Sequence, residues 1–328
     1  CHKGKGCTIG FTAEMPKSGE IIPNIIGVDQ FCGMHVIRLS DNDITNDYEK
    51  LDKVIRRNIP FGRDGRKRFS ELVPEKFIEK TKKICKDILK DNFVNHVNKI
   101  GSLGGGNHFI SLEKGSTGTY LIIHSGSRNI GLKLAISYQD LAITKNCYGE
   151  GELKQLSFLT GKYAQEYLDC AEYCQEYAKL NRKIMAHDIM VGMRWKAEDE
   201  FETVHNYIGK DGIIRKGAIS CYKEERVLIP LNMAEGSLIC IGKGNTDWNN
   251  SAPHGAGRAL SRMQAKNQLT MQEYKKQMSG IFSSCISTAT LDEAPMAYKN
   301  SIEIIKAIEP AAEIIDHLKP QYNFKAKE

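Results

Sequence analysis

Arg226-Val227-Leu228-Ile229-Pro230-Leu231-Asn232-Met233-Ala234-Glu235-Gly236-Ser237-Leu238-Ile239-Cys240-Ile241 is the stretch whose reading decides the fold class. Arg226 to Pro230 and Ser237 to Ile241 read as strands around a loop, with no helical segment between them. Working outward, residues 19–39 also look like strand material, with apolar runs at Ile21-Ile22, Ile25-Ile26-Gly27-Val28 and Met34 to Leu39. Gly101 to Gly106 is a glycine-rich loop leading into a strand at Phe109-Ile110. Tyr120 to Ile123 is a further short apolar run, ending at His124-Ser125-Gly126. Apolar spacing of three and four predicts helices over 44–58 and 73–91. The longest helical pattern covers 157–199, where Tyr163, Tyr167, Cys170, Cys174, Tyr177, Asn181 and Ile184 recur at three or four residues. No proline interrupts it, and Gly192 is a local weak point. Helices are also predicted over 257–266, 270–278 and 298–308. Strands and helices therefore mix without a regular βαβ alternation, which predicts α+β rather than a doubly wound sheet. No internal repeat or low-complexity linker divides the chain, so one integrated domain over 1–328 is expected.

The bulk numbers narrow the function classes only a little. The chain has 328 residues, 41% hydrophobic and 26% charged, ordinary for a soluble globular protein with a large core. A net charge of +6 permits a nucleic-acid partner without demanding one. Ten cysteines form no CxxC pair and no small-domain disulfide framework, which points to a reducing compartment. No apolar run approaches the roughly 18 residues that span a bilayer, and no signal peptide is visible. A cytoplasmic protein with no membrane partner is the expectation. The chain opens on Cys1-His2-Lys3-Gly4-Lys5-Gly6, already inside a glycine-rich turn and without methionine, so upstream residues are expected to be missing.

Five short stretches could carry chemistry. Asp29-Gln30-Phe31-Cys32-Gly33 sets an acid and a thiol three residues apart after a strand, where both can reach one metal and a thiolate can bridge two. Gly104-Gly105-Gly106-Asn107-His108-Phe109 lets backbone approach a ligand closely and adds an amide and an imidazole. It fits neither a Walker A nor a dinucleotide-binding fingerprint. His124-Ser125-Gly126-Ser127-Arg128 suits a metal site beside a phosphate, with Arg128 able to bind phosphate oxygens in bidentate fashion. His205-Asn206 says little alone. His254-Gly255-Ala256-Gly257-Arg258 precedes a predicted helix whose free N–H groups would attract phosphate, and histidine can act as a covalent nucleophile. Each stretch also has an ordinary reading as a turn or a buried small residue. Asp29, Cys32, His108, His124 and His205 together make a mixed O, S and N donor set suited to manganese, zinc or iron, and softness alone would favour zinc.

These motifs resemble one family, the RtcB RNA ligases. Cys1 to Cys7, Gly27 to Gly33, Gly104 to Phe109, His124 to Arg128, His205-Asn206, Arg215-Lys216-Gly217-Ala218, His254 to Arg258 and Asp292-Glu293-Ala294-Pro295 occur in the family's order across nearly the whole chain. The resemblance implies a ligase that joins an RNA 3′-phosphate or 2′,3′-cyclic phosphate to a 5′-hydroxyl, in RNA repair or tRNA splicing. It implies GTP as donor, two manganese ions, and a mixed fold packed around a central metal and nucleotide pocket. His254 is then the nucleotidylated histidine. Asp29, Cys32, His108, His124 and His205 are the metal ligands, with Cys32 as the bridge. Asn107, His108, Asn206, Pro230, Asn232, Met233, Ser237, Gly255, Ala256, Gly257 and Lys325 match nucleotide-binding positions. Arg128 and Arg258 match arginines that hold RNA phosphate, and the reading leaves room for an activating protein.

Three departures mark a divergent, bacterial-type branch. Ser111 stands where the family usually has a glutamate. Pro230-Leu231-Asn232-Met233-Ala234 replaces a more usual Pro-Gly-Ser-Met-Gly. The family's aspartate before the Cys1-His2 turn lies off this chain. A metal-dependent phosphodiesterase that opens cyclic phosphates without ligating is the nearest competing reading, motivated by Ser111. A non-catalytic RNA-binding relative is the third, and it would need neither the metal ligands nor His254.

Overall fold

A computed structural model describes residues 4, 6–40 and 47–326. Its strands are β1 (Phe11–Glu14), β2 (Gly33–Leu39), β3 (Phe109–Gly115), β4 (Gly118–Ser125), β5 (Ala197–Val204), β6 (Tyr207–Ile208), β7 (Ile213–Lys216), β8 (Ala218–Ser220), β9 (Arg226–Asn232), β10 (Gly236–Gly242), β11 (Ser251–Pro253) and β12 (Ala312–Lys325). Its helices are α1 (Pro23–Ile26), α2 (Tyr48–Asn58), α3 (Glu75–Ile84), α4 (Val94–Val97), α5 (Arg128–Lys145), α6 (Gly161–Met193), α7 (Arg262–Gln268), α8 (Met271–Gln277) and α9 (Ser301–Ile308).

The architecture is α+β. Seven strands form one sheet in the order β5-β2-β4-β3-β12-β10-β9, and every neighbouring pair is antiparallel. The sheet curls until its two edge strands approach each other, where the Leu228 N–H of β9 donates to Thr203 Oγ1 of β5 at 3.1 Å. Inside the curl, Met34, Val36, Ile122, Leu228, Ile239 and Leu318 pack together. The other face carries Ile110 and Leu112 of β3 with Tyr322 and Phe324 of β12, against Met185 and Ile189 of α6. Burying each such side chain contributes about 1.5–3 kcal/mol. Strand alternation leaves Ser111 and Glu113 on the side opposite Ile110 and Leu112.

The stretch 226–241 is the β9–β10 hairpin, as read, with β9 running on to Asn232 and β10 starting at Gly236. The turn is closed by Asn232, whose Oδ1 accepts from the Ala234 and Glu235 N–H groups at 3.0 Å. Gly236 sits at φ +80, and a Cβ there would lie 2.1 Å from the Leu318 carbonyl oxygen of β12.

Several predicted elements move. Within 19–39, only Gly33–Leu39 is a strand; Pro23 opens α1, because its fixed φ suits the first helical position, and Gly27 at φ +93 ends it. The 44–58 helix is described from Tyr48, capped by Asp47, and residues 44–46 lie outside the described residues. The long helix stops at Met193, where Arg194 turns left-handed, and 197–204 is a strand instead. Gly192 reflects packing rather than weakness, since a Cβ there would lie 2.5 Å from Val54 Cγ1 of α2. Over 257–266 the helix begins only at Arg262, where Ser261 and Gln264 form a capping box. Its own cap takes the Ser261 and Gln264 N–H groups, and the helix starts eight residues beyond His254 rather than directly behind it. Helix α5, strand β5 and strand β12 were not anticipated.

Candidate metal and nucleotide site

Four chain segments deliver five predicted ligands to one place. Cys32 precedes β2, His108 precedes β3, His124 ends β4 and His205 follows β5. Cys32 Sγ lies 3.2 Å from His108 Nε2 and 3.1 Å from His124 Nε2. Asp29 Oδ2 lies 3.5 Å from His108 Nε2. The donors fall into two groups, Cys32–His124–His205 and Asp29–Cys32–His108, each with all its ligand atoms within 4.8 Å of one another. Cys32 belongs to both. Thiol, imidazole and carboxylate together fit borderline divalent cations.

The electrostatics agree with cation binding. Burial drives the Cys32 thiol well above its ordinary pKa, and the Asp29 charge adds to the rise. A bound cation is what would stabilise its thiolate. Burial also pushes the Asp29 carboxyl up, but His108 and His124 outweigh it and hold the group at about 2. Asp29 stands in a recess ringed by protein yet keeps 40% of its side chain accessible. Burial, with neighbouring imidazoles, keeps His124 and His205 well below 6.5, hence neutral and able to ligate.

Backbone carbonyls fix the ring orientations. His108 Nδ1 donates to the Leu103 carbonyl at 2.9 Å and His124 Nδ1 to the Asn107 carbonyl at 3.3 Å. A carbonyl only accepts, so both rings carry hydrogen on Nδ1 and turn an Nε2 lone pair toward Cys32. The loops are held from beneath by α6. Asn181 accepts from the Gly101 and Ser102 N–H groups and donates to Ser125 Oγ and the Gly126 carbonyl. Buried Arg182 donates to the Phe31 and Ser125 carbonyls and pairs with Glu202. Gly126 is needed where it stands, because a Cβ would approach Asp29 Oδ1 to 2.8 Å.

His254 adjoins this group. Its ring centroid is 4.6 Å from that of His205. Its Nδ1 donates to the Gly217 carbonyl at 2.7 Å. Asn206 links that carbonyl's residue to the ligand loop: its Oδ1 accepts from the Gly217 N–H at 2.8 Å and its Nδ2 donates to the Asp29 carbonyl at 3.0 Å.

A cleft of about 260 Å³ opens beside His254. Of the predicted nucleotide positions, Asn107, Pro230, Asn232, Met233, Ser237, Gly255, Ala256, Gly257 and Lys325 line it. Asn206 does not; it braces the wall behind. His108 faces a second groove with Asp29, Arg63, Lys99, Arg128 and Arg262. There Arg128 bonds to the Gly62 carbonyl, and its Nε finds no partner among the described residues. Burial, then repulsion from Arg128, Lys133 and Arg63, lowers the Lys99 pKa. Arg258 lies at the cleft with its guanidinium committed inward, to Glu293 and to the Leu260 and Asp292 carbonyls.

Two carboxylates at the cleft were missed from the sequence. Glu293 is buried between Arg258 and Lys325, at 3.0 Å from each. Burial raises its pKa, but Lys325, Tyr298 and Arg258 together bring it down to about 2. Its motif, Asp292 to Pro295, was visible without a role. Glu113 lines the cleft on the same strand face as Ser111, whose hydroxyl donates to Glu113 Oε1 at 2.8 Å. A carboxyl group is therefore present two residues beyond Ser111, and the two-residue period of a strand was the available signal.

The curled antiparallel sheet and the shared-thiol cluster beside a deep cleft define a candidate metalloenzyme. The RtcB family, described as tRNA-splicing ligase RtcB, matches residues 1–326, and the chain belongs to that family of ligases. It is 30% identical to the RNA-splicing ligase RtcB of Escherichia coli strain K12, over 96% of this chain and 85% of the relative. The tRNA-splicing ligase RtcB of Methanococcus maripaludis is 26% identical, over 92% of this chain and 81% of the relative. That of Archaeoglobus fulgidus is 27% identical, over 97% and 85%. No helix among the described residues is long and apolar enough to cross a membrane.

Proposed function

We propose that this protein joins RNA ends bearing a 3′-phosphate or 2′,3′-cyclic phosphate to 5′-hydroxyl ends, through a covalent adduct of GMP with His254. The observation that carries the proposal is the His254 ring, fixed by Gly217 and packed at 4.6 Å on His205 of the shared-thiol cluster. A nucleophile this close to a cation site can attack a phosphate held there, since attack needs approach to roughly 3–3.5 Å.

The residues account for each step. With Nδ1 protonated and bonded to Gly217, His254 Nε2 keeps its lone pair and attacks the α-phosphorus of GTP. The P–N bond forms as the bond to the β-phosphate oxygen breaks, and pyrophosphate leaves. A 2′,3′-cyclic phosphate is first opened by water, which bonds to the phosphorus as the bond to O2′ breaks and O2′ takes up a proton. An RNA 3′-phosphate oxygen then attacks the phosphorus of the His254 adduct and the P–N bond breaks, leaving a GMP-activated RNA end. A 5′-hydroxyl attacks the RNA phosphorus, loses its proton, and expels GMP. Two manganese ions held by Asp29, Cys32, His108, His124 and His205 would neutralise phosphate charge and stabilise the attacking and leaving oxygens. Lys325 and the Gly255–Gly257 segment suit the nucleotide phosphates. The cations around Lys99 and Arg128 suit the RNA backbone. Residues 1–328 act as a single catalytic domain in this reading, in the cytoplasm.

The test is a joining assay with manganese, GTP and RNA ends of both kinds. Sealed RNA supports the proposal. A cyclic phosphate opened but never sealed would make the protein a phosphodiesterase instead.

A further inference from the structure

Nearly all of the chain's net positive charge sits in one short segment. Residues 56–68 hold Arg56, Arg57, Arg63, Arg66, Lys67 and Arg68 against a single acid, Asp64, a net of +5 where the whole chain has +6. The segment covers the end of α2 and the loop that follows it. Two of its cations are committed to the fold. Arg56 pairs with Asp52 at 2.7 Å, and Arg66 pairs with Asp188 while donating to the Ile100 and Gly101 carbonyls. Arg57, Arg63, Lys67 and Arg68 are exposed and pair with no carboxylate among the described residues. Unpaired cations on one loop repel one another, and an anion laid across them relieves that.

The loop is tied to the metal site. The Leu103 N–H donates to the Pro60 carbonyl and the Gly62 N–H to the Gly104 carbonyl, each at 2.9 Å. The recesses around the loop also run together. The groove that His108 faces, of about 450 Å³, shares Lys99 and Asn129 with a recess of about 350 Å³. That recess shares Gly65 and Arg66 with a third, of about 780 Å³, lined by Arg57, Lys67 and Arg68. One trough therefore leads from the metal ligands to the basic loop. Cations stand along it: Arg63 and Lys99 beside the ligands, Lys133 midway, where it pairs with Asp91, and Arg57, Lys67 and Arg68 at the far end.

We propose that this trough carries the backbone of the substrate RNA away from the join, and that Arg57, Lys67 and Arg68 hold its phosphates at a distance from the metals. The proposal rests on the RNA-joining reading given above and adds a second surface, outside the reaction centre, that grips the substrate. The form of the site selects the partner. A small anion would occupy one or two of these cations, whereas a polyanion with one charge per nucleotide spans them. Lys and Arg contacts to phosphate carry no sequence information, so the trough holds any strand that passes through it. The grip grows with RNA length, because a fragment that ends beside His108 does not reach the far end.

The experiment measures binding of a long single-stranded RNA and of a trinucleotide, by fluorescence anisotropy over a salt series, in wild type and in Arg57→Gln/Lys67→Gln/Arg68→Gln. Each single-strand phosphate contact adds about 0.7 to the slope of log affinity against log salt. Three contacts add about 2, so between about 50 and 200 mM salt the wild type should lose long-RNA affinity roughly 20-fold more than the variant. Trinucleotide binding should be equal in the two proteins. Equal salt slopes for the long RNA overturn the proposal, as does a wild type that binds no RNA, or a trinucleotide weakened as much as the long RNA. Should the triple variant fail to fold, Lys67→Gln alone should lower the slope by about 0.7, and an unchanged slope there overturns the proposal too. Labelling of each protein by α-labelled GTP is read in parallel. None of the three residues lines the cleft beside His254, so labelling should be equal. Labelling lost only in the variant overturns the proposal. Labelling absent from both overturns the His254 reading instead, and the salt slopes still decide the trough.

Discussion

His254 donates its Nδ1–H to the Gly217 carbonyl across 2.7 Å, and this bond decides what the ring can do. It fixes the tautomer, leaves Nε2 unprotonated, and sets the ring plane beside His205. Gly217 is itself pinned, because its N–H reaches Asn206 Oδ1 and Asn206 Nδ2 reaches the Asp29 carbonyl. His254 and the Asp29–Cys32 loop are thus joined through one amide side chain.

Breaking that join should slow chemistry more than it weakens folding. Asn206→Asp keeps an acceptor for the Gly217 N–H and loses the donor to Asp29. A misplacement of about 1 Å costs about 100-fold in rate. Single-turnover labelling of His254 should fall roughly 10- to 100-fold with a thermal midpoint near wild type. Labelling at the wild-type rate would show that the join does not position His254.

Cys32 is the shared donor of both ligand groups, so its loss should weaken both. Metal content of Cys32→Ala, measured by elemental analysis after dialysis against manganese, should fall from two ions per chain to fewer than one. Two retained ions would mean that the thiol does not bridge.

Glu293 makes acid sensitivity predictable. Its folded-state pKa is depressed from 4.5 to about 2, so its stabilisation is fully present above about 4.5 and is lost as pH falls toward 2. The shift corresponds to about 3 kcal/mol. Glu293→Gln leaves Arg258 and Lys325 without their buried partner and should be the less stable protein at pH 7. In denaturant melts its deficit should stay constant from pH 7 to 5 and narrow below 4.5. A deficit independent of pH would show that the ion network contributes nothing through ionisation.

Asn181 satisfies two N–H groups of the 101–102 loop and donates twice to the end of β4. Asn181→Ala strands those groups in a buried place, at about 1–3 kcal/mol each. Thermal denaturation should show a loss of at least about 3 kcal/mol, with metal affinity reduced in the surviving folded fraction. A change under about 1 kcal/mol would mean that water replaces the side chain.

Much of the fold was legible, and the failures have physical causes. The hairpin at 226–241 was plain because two apolar runs flank a turn. Helix α5 was hidden: its buried positions Ile130, Leu134, Tyr138 and Ala142 have helical spacing, but Gly131 and Gln139 are buried among them and Ile136 is exposed. Strand β12 was masked by Pro320, which is tolerated because the register with β3 shifts there between Pro320 and Tyr322. Strand β5 carries Glu198, Glu200 and Glu202, whose polarity obscured it beside the end of α6. In the site, the metal-ligand motifs were readable because each sits at a strand end. Their convergence was not, since it depends on how β2, β4 and β3 lie side by side. Glu113 and Glu293 carried no motif role and became visible only through burial.

The most direct measurement is to incubate the protein with manganese and α-labelled GTP, digest it, and map the labelled peptide by mass spectrometry. One GMP on His254, released by acid and absent from His254→Ala, is the expected result. No adduct in wild type, or an adduct on another residue that persists in His254→Ala, would contradict it.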